Sequence, residues 1–364
     1  IDADKYYYSC PLSNWVIAGF RELEAQKWSW DAASKAHGYT HIQDTVVNID
    51  AKAKQVQLKS GSKIGYDRCI VAPGVDYKWN SIEGYNEQVS NGPMPHAWKA
   101  GPQTQLLADQ LKAMPDGGVV VISPPKNPFR CPPGPYERAS LIAWYLQKHK
   151  PKSKVLILDP KPKFSKYGLF TGGWKELYGY ETENSLIQWE PESAVTEVDP
   201  KNMTVTTEMD TIKGAVVNII PNQTAGFIAH TAGLTGGKDW CPVNKKTFES
   251  TIHAGVHVIG DAASAAKMPK SGYAANSQAK VCAAAVVDMI NGRAPGKASY
   301  VNTCYSMLSP HYGISVAAIY KLKGKVISKV GGGLSPTKAS AAVRKQEGEF
   351  NESWYQSIMR DGFA

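Results

Sequence analysis

Residues 119–138 read Val-Val-Val-Ile-Ser-Pro-Pro-Lys-Asn-Pro-Phe-Arg-Cys-Pro-Pro-Gly-Pro-Tyr-Glu-Arg, and this stretch decides the fold. The apolar residues 119–123 predict a buried strand, and residues 137–147 predict a helix. A tight loop between a strand and a helix is where a dinucleotide-binding domain carries its G-x-G-x-x-G sequence, whose backbone amides face a pyrophosphate. This loop has prolines, which lack amide donors, and Cys131 instead. The sequence therefore predicts the topology of a nicotinamide site with a thiol in it, which suggests sulfur redox chemistry.

The segments that follow this loop predict the rest of an α/β domain. Residues 155–159 predict the next parallel strand, reached through the helix by a right-handed crossover. Residues 216–221 predict a further buried strand. We therefore assign residues 77–220 to a Rossmann-like, NAD(P)-binding-like domain without the nucleotide fingerprint.

The flanking segments predict a second, discontinuous domain. Residues 69–74 form an apolar strand that ends in a small residue and glycine, which is typical of the end of the first segment of a flavoprotein's FAD domain. Residues 253–261 predict a strand that leads into an alanine-rich helix at residues 277–290. We expect residues 1–76 and 221–296 to form one FAD-binding domain, and residues 297–364 to form a C-terminal α+β interface domain.

The first residues of the chain predict part of a nucleotide site. Ile1 and Asp2 resemble the end of a second Rossmann strand, where an acidic residue binds a ribose hydroxyl. That acid normally follows the glycine loop by about 20 residues, so we expect the first strand and the N-terminal glycine loop to be missing from this sequence. An ordinary aspartate in an N-terminal loop is the alternative.

Composition narrows the function classes. The chain has 364 residues, a formal net charge of +9 and six cysteines. The lysines are scattered, which argues against a dedicated nucleic-acid protein. The cysteines form no C-x-x-C and have no histidine pair at zinc spacing, so we expect no metal site. The apolar runs are too short to span a bilayer.

Three longer segments carry a family resemblance. They are Pro-Phe-Arg-Cys-Pro-Pro-Gly-Pro-Tyr-Glu-Arg-Ala-Ser at residues 128–140, Met-Pro-Lys-Ser-Gly-Tyr at residues 268–273, and Tyr-Val-Asn-Thr-Cys-Tyr at residues 300–305. With them the chain resembles the flavoprotein subunit of flavocytochrome c sulfide dehydrogenase. That family belongs to the glutathione-reductase-like flavoproteins. The resemblance implies that fold, with two Rossmann-like domains and a C-terminal α+β domain.

The resemblance also implies how the cofactor is held. The family's FAD is bonded covalently to a cysteine that matches Cys10, and Asp261 matches the carboxylate that binds the ribityl chain. A helix that starts near Ser277 would direct the positive end of its dipole at the flavin. Tyr273 and Trp354 match aromatic residues near the flavin. The alternatives are a plain buried cysteine at position 10, an N-cap role for Asp261, and core packing for the two aromatic residues.

The catalytic residues implied by the resemblance are Cys131, Cys304 and Glu137. The two cysteines match a redox-active disulfide, whose attack by hydrosulfide would give a persulfide and a thiolate. Arg130 is a candidate to stabilise that thiolate. A disulfide that only staples the fold is the alternative, worth about 5 kcal/mol by loop-closure entropy. Glu137 is expected to relay a proton, although a helix N-terminus lowers the pKa of a carboxyl group and works against proton donation; a helix-start acid or an ion pair with Arg138 are the alternatives.

The resemblance implies an electron acceptor and a cell compartment as well. The flavin electrons would pass to a c-type cytochrome subunit, because this chain has no C-x-x-C-H sequence for its own haem. A periplasmic location follows from the family alone. The competing interpretation is a sulfide:quinone oxidoreductase, and the acidic, polar residues 346–352 argue against its membrane-facing surface. A pyridine-nucleotide disulfide reductase and a non-catalytic scaffold are weaker alternatives.

Overall fold

The protein is an α/β molecule, known here from a computed structural model that describes residues 1–363. Its helices, in chain order, are α1 (Ser13–Ile17), α2 (Asp31–His37), α3 (Glu87–Ser90), α4 (Pro102–Ala113), α5 (Gly134–His149), α6 (Tyr167–Tyr178), α7 (Phe227–Thr231), α8 (Gly272–Ile290) and α9 (Ala341–Phe363).

The strands are short in the first two thirds of the chain and long near its C-terminus. In chain order they are β1 (Tyr6–Tyr8), β2 (Lys27–Ser29), β3 (Val46–Asp50), β4 (Gln55–Leu58), β5 (Lys63–Gly65), β6 (Cys69–Val71), β7 (Val75–Tyr77), β8 (Val119–Ser123), β9 (Lys154–Leu158), β10 (Ile187–Glu190), β11 (Glu197–Asp199), β12 (Thr204–Thr206), β13 (Thr211–Lys213), β14 (Val216–Ile219), β15 (Gln223–Ala225), β16 (Val256–Val258), β17 (Ser299–Ser309), β18 (Tyr312–Lys323) and β19 (Val326–Leu334).

A four-stranded parallel sheet forms the middle of the molecule, in the order β10-β9-β8-β14. Strands β8 and β14 are rich in β-branched residues and almost wholly buried, as expected for strands of a parallel sheet with both faces covered. The crossover helix α5 begins at Gly134, three residues before the predicted start, because the loop turns directly into the helix with prolines in its first turn. The predicted β-α-β topology is confirmed.

The first part of the chain also pairs with the segment that follows the middle sheet. Strand β6 pairs in parallel with β16, which joins the first part of the chain to the segment that returns after the middle domain. A small antiparallel sheet, β3-β4-β5, and helix α8 share one core with these strands.

Helix α8 begins earlier than predicted. Its N-cap is Ser271, whose hydroxyl accepts a hydrogen bond from the backbone amide of Ala274 at 3.2 Å. Ser277 therefore lies in the second turn of the helix, and its hydroxyl accepts a hydrogen bond from the amide of Val301 at 3.1 Å. The predicted helix start near Ser277 is wrong. The alanine-rich pattern does not include Gly272 and Tyr273, but the helix begins with them because Ser271 caps it.

The C-terminal part is an antiparallel sheet, β17-β18-β19, with α9 packed against β17 and β18. This arrangement matches the predicted α+β segment. The glycine run at residues 331–333 lies inside β19 and pairs with β18. There, Gly332 has a φ of 115°, and a Cβ atom would lie 2.1 Å from the carbonyl oxygen of Ala317.

Candidate active site

The loop between β8 and α5 holds Cys131 in a fixed, unusual conformation. Cys131 has a φ of 56°, in the left-handed region that residues other than glycine seldom adopt. Its amide donates to the carbonyl oxygen of Lys270 at 2.7 Å, and its own carbonyl accepts from the amide of Gly134 at 2.8 Å. A Cβ atom at Gly134 would lie 2.5 Å from the ring of Trp98. Only glycine therefore lets α5 start this close to the loop.

The fold brings Cys131 and Cys304 together from distant parts of the chain. Cys304 lies on β17, and both cysteines are half-buried free thiols in this structure. The side-chain amide of Asn302 donates to the sulfur of Cys304 at 3.4 Å. Burial raises the pKa of the Cys131 thiol well above its usual range, and the nearby Cys304 and Glu137 raise it further. The two thiols and this carboxyl group therefore belong to one site.

Glu137 lies in the first turn of α5 and ties three elements together. Its carboxylate accepts hydrogen bonds from the amide of Met307 on β17 at 2.8 Å and from the side-chain amide of Asn14 on α1 at 3.0 Å. Burial raises the pKa of Glu137, and these two hydrogen bonds only partly offset that effect. The direction is opposite to the one expected from the helix N-terminus, because the effect of burial outweighs a dipole effect of about 1 kcal/mol.

Arg138, the neighbour of Glu137, has a structural role. Within residues 1–363 no ion pair joins the two side chains, so that alternative for Glu137 is wrong. The guanidinium is buried and donates to oxygen atoms of Asn14, His96, Ala97 and Asn218. Burial lowers the pKa of Arg138 to about 10. Its side chain holds α5 against α1 and β14 and so fixes the helix that carries Glu137.

A second cluster surrounds Arg130, the residue before Cys131. Burial alone would lower the pKa of the Arg130 guanidinium, but surrounding groups raise it above its ordinary value, Cys10 first and then Tyr77 and Asp261. The guanidinium donates a hydrogen bond to the carbonyl oxygen of Trp98. Cys10 and Asp261, both predicted to hold the cofactor, therefore lie beside the same cation.

Asp261 is the residue best suited to accept a hydrogen bond from a hydroxyl group of a bound cofactor. One oxygen of its buried carboxylate has no hydrogen-bond partner among the described residues. Burial raises the pKa of this carboxyl group, against the opposing effect of Arg130. A buried acceptor left unpaired costs about 1–3 kcal/mol, and a sugar-alcohol hydroxyl group would remove that cost. This part of the chain therefore suits the ribityl chain of a flavin.

The remaining predicted cofactor residues lie elsewhere. Tyr273 and Trp354 stack with ring centroids 5.9 Å apart, and together with Ser277 they line a cavity of about 520 Å³ between α8 and α9. Asp2 forms a parallel bridge with Gln43, and its carboxylate accepts from the amide of Asp4 at 2.9 Å. No hydrogen bond in the part of the chain that the structure describes links Asp2 to Cys131 or Arg130. The predicted site thus divides into the thiol cluster, the Arg130 cluster, this cavity and an isolated Asp2.

Lys166 belongs to the thiol cluster and was not predicted from the sequence. Its ammonium donates to the carbonyl oxygen of Cys304 at 3.0 Å and to the hydroxyl of Ser306 at 2.7 Å. Of the two cations that lower the pKa of Cys131, Lys166 has more effect than Arg130. Lys166 follows the carboxyl end of a parallel strand, β9, just as Cys131 follows β8. That position was the available signal, because α/β sheets bind ligands at this edge.

The sequence predicted neither a metal site nor a membrane-spanning segment. Over residues 1–363, no three of the histidine, cysteine, aspartate and glutamate side chains meet in a group that could hold a metal ion. None of the helices in the same range combines the length and the apolar character needed to cross a membrane.

Two family profiles match the chain. The family profile described as "Sulfide dehydrogenase [flavocytochrome c] flavoprotein chain, central" matches residues 104–221. The profile described as "Flavocytochrome c sulphide dehydrogenase, flavin-binding" matches residues 296–363. The fold and the site define a glutathione-reductase-like flavoprotein, with FAD as the supported cofactor. The chain belongs to the family of flavocytochrome c sulfide dehydrogenase flavoprotein chains, so the resemblance is confirmed.

Two curated proteins are similar in sequence, and one solved structure has the same fold. A mitochondrial sulfide:quinone oxidoreductase of Dictyostelium discoideum is 25% identical over 158 residues, which is 43% of this chain and 34% of that protein. The Mus musculus protein of the same name is 22% identical, over 71% of this chain and 58% of its own. The sulfide:quinone oxidoreductase structure from Aquifex aeolicus has a TM-score of 0.76 at 18% identity and covers 99% of this chain and 84% of that one. The chain thus spans less than two thirds of these two curated relatives.

Proposed function

We propose that this chain is the flavoprotein of a sulfide dehydrogenase, which oxidises hydrosulfide to sulfur or polysulfide and passes the electrons to a c-type cytochrome subunit. The observation that carries the proposal is the meeting of Cys131, Cys304 and Glu137 in one partly buried cluster, next to the Arg130 cluster that suits a flavin. Core cysteines need no buried acid beside them, whereas sulfur exchange does require proton transfer.

The chain's own residues account for the sulfur chemistry. In the oxidised enzyme the sulfurs of Cys131 and Cys304 are joined, and hydrosulfide attacks one of them, which leaves a persulfide on one cysteine and a thiolate on the other. The Glu137 carboxyl, with its raised pKa, is suited to take a proton from the attacking sulfur and return it to a leaving thiolate. Bound FAD would supply a two-electron acceptor that releases electrons singly.

The finer parts of the proposal concern attachment, partner and location. Cys10, beside Arg130, is the proposed site of a covalent bond to FAD, and Asp261 the proposed ligand of the ribityl chain. Tyr273, Ser277 and Trp354 line a cavity that suits further contacts of the cofactor or an exit for its electrons. We propose a cytochrome subunit as the acceptor and the periplasm as the compartment, both on the strength of the family.

The direct test is flavin bleaching by sulfide without oxygen. The protein with its flavin bound should lose flavin absorbance when sulfide is added, and Cys131→Ser should bind flavin but not bleach. Cys69→Ala is the matched control, because Cys69 is a half-buried cysteine on β6, outside the thiol cluster. Bleaching of Cys131→Ser at the parental rate would refute the role of this thiol.

A sulfide:quinone oxidoreductase is the second candidate, and the likeness to three proteins of that name favours it. Both candidates use the same sulfur site, so the electron acceptor separates them. Sulfide-dependent reduction of cytochrome c without quinone supports the first function. Reduction of a soluble quinone but not of cytochrome c would support the second.

A further inference from the structure

Lys166 is a buried lysine held against the strand that carries Cys304. It lies at the N-cap of α6 with a φ of 61°, and its ammonium donates to the backbone carbonyl of Cys304 and to the hydroxyl of Ser306. A left-handed conformation costs an L-residue about 1–2 kcal/mol. Such conformations persist where the surrounding structure holds them, and they cluster at functional sites. Cys131 has the same unusual conformation in the facing loop.

The ammonium of Lys166 has no carboxylate to neutralise it. Among the described residues, no acidic oxygen lies within salt-bridge distance of Lys166, whereas Lys161 in the same loop pairs with Asp159 at 2.6 Å. The two nearest acids are engaged elsewhere: Glu137 accepts from Met307 and Asn14, and Glu347 accepts from two serines. An unpaired buried charge is costly. Its natural counter-charge is therefore an anion that forms only during the reaction.

The thiol pair supplies such an anion. Burial lowers the pKa of Lys166 to about 8, although the nearby Cys304 and Glu137 raise it. Cys304 is the group with the largest opposing effect, ahead of Cys131. When the disulfide opens, one sulfur carries negative charge in surroundings where burial disfavours it. A cation fixed beside Cys304 offsets that cost.

We propose that Lys166 stabilises negative charge on the sulfur of Cys304, and so makes Cys304 the more acidic thiol of the pair. This is a positioning role, because Lys166 acts through Cys304. This role of Lys166 rests on the proposed function, because the thiolate is released when hydrosulfide attacks the disulfide. The titratable and charged groups that face this site are Arg130, Cys131, Glu137, Lys166, Tyr320 and Glu347.

The test measures thiol acidity without sulfide. The full chain is reduced with dithiothreitol and desalted, then alkylated with iodoacetamide over a range of pH. Peptide masses give the midpoint of alkylation for each cysteine. Lys166→Met removes the charge, Lys166→Arg keeps it, and Lys163→Met is the control, because Lys163 is exposed in the same loop.

We expect Lys166→Met to raise the Cys304 midpoint by about 1–3 pH units, the usual effect of an opposite charge at short range. Alkylation at neutral pH then slows about tenfold per unit. Lys166→Arg and Lys163→Met keep the wild-type midpoint. An unchanged midpoint in folded Lys166→Met, or an equal rise in Lys166→Arg, would overturn the proposal.

Two features keep the result interpretable. If Lys166→Met does not fold, Lys166→Gln takes its place, because glutamine removes the charge and keeps an amide donor for Ser306; an unchanged Cys304 midpoint in that variant would overturn the role of Lys166. Because no sulfide is present, a wrong substrate assignment leaves the measurement unaffected. The converse result is that sulfide bleaches the flavin while the Cys304 alkylation midpoint is the same in wild type and Lys166→Met. That result would overturn this inference and leave the proposed function standing.

Discussion

Replacing Glu137 by glutamine should destabilise the protein even though the two side chains have nearly the same shape. Both oxygens of the carboxylate accept from donors, the amide of Met307 and the side-chain amide of Asn14. Asn14 cannot turn over to offer its oxygen instead, because that oxygen accepts from Arg138 at 3.0 Å. Glutamine would therefore place its amide group against another donor. A buried donor without a partner costs about 1–3 kcal/mol, and we expect the free energy of unfolding to fall by that amount.

Urea unfolding followed by tryptophan fluorescence measures this loss. The control is Glu183→Gln, because Glu183 is exposed in a turn and surface substitutions usually change stability by less than about 0.5 kcal/mol. The double variant Glu137→Gln with Asn14→Asp restores a donor facing an acceptor and keeps the net charge, so we expect it to recover most of the loss. Equal unfolding midpoints for Glu137→Gln and Glu183→Gln would refute this reading of the hydrogen bonds.

Three further predictions concern buried acids and the cofactor cysteine. Because burial raises the pKa of Asp261, the folded state binds its proton more tightly than the unfolded chain does, and stability falls as pH rises through the folded pKa. Flavin-free Asp261→Asn should therefore be more stable than wild type at neutral pH, with a difference that shrinks in acid; thermal unfolding at several pH values checks this, and a difference independent of pH would contradict it. Asp159→Ala should lose about 3–5 kcal/mol in urea unfolding, because it leaves the Lys161 ammonium buried without its carboxylate; a loss below about 1 kcal/mol would argue against this pair. After acid denaturation, flavin should stay on the Cys10 peptide of wild type by mass analysis and be released from Cys10→Ser, whereas retention by Cys10→Ser would exclude this attachment.

The central topology was predictable because its signals are local. The short, valine-rich run at residues 119–123 indicates a buried strand, and the prolines and glycine after Cys131 mark a loop that opens a helix. The pairing of β6 with β16 followed from the strand that leads to Asp261. The start of α8 was missed because one capping hydroxyl, Ser271, sets it.

The site was predictable only in part, because burial and distant contacts decide it. The family pattern named Cys131, Cys304 and Glu137, and their proximity depends on how β17 packs against α5. The pKa of Glu137 shifts opposite to the expected direction, because burial by distant parts of the chain cannot be read from a helix-start pattern. Lys166 was missed because its position depends on its own left-handed backbone before α6 and on its hydrogen bond to Cys304, which lies far along the chain.

The central claim is that Cys131 and Cys304 receive the sulfur of hydrosulfide. The most direct measurement treats the oxidised protein with sulfide without oxygen, blocks free thiols at once, and weighs the cysteine peptides. We expect one added sulfur atom on a peptide that contains Cys131 or Cys304, and none on the peptide of Cys69. Sulfide-dependent flavin bleaching with no added sulfur on either peptide would contradict it.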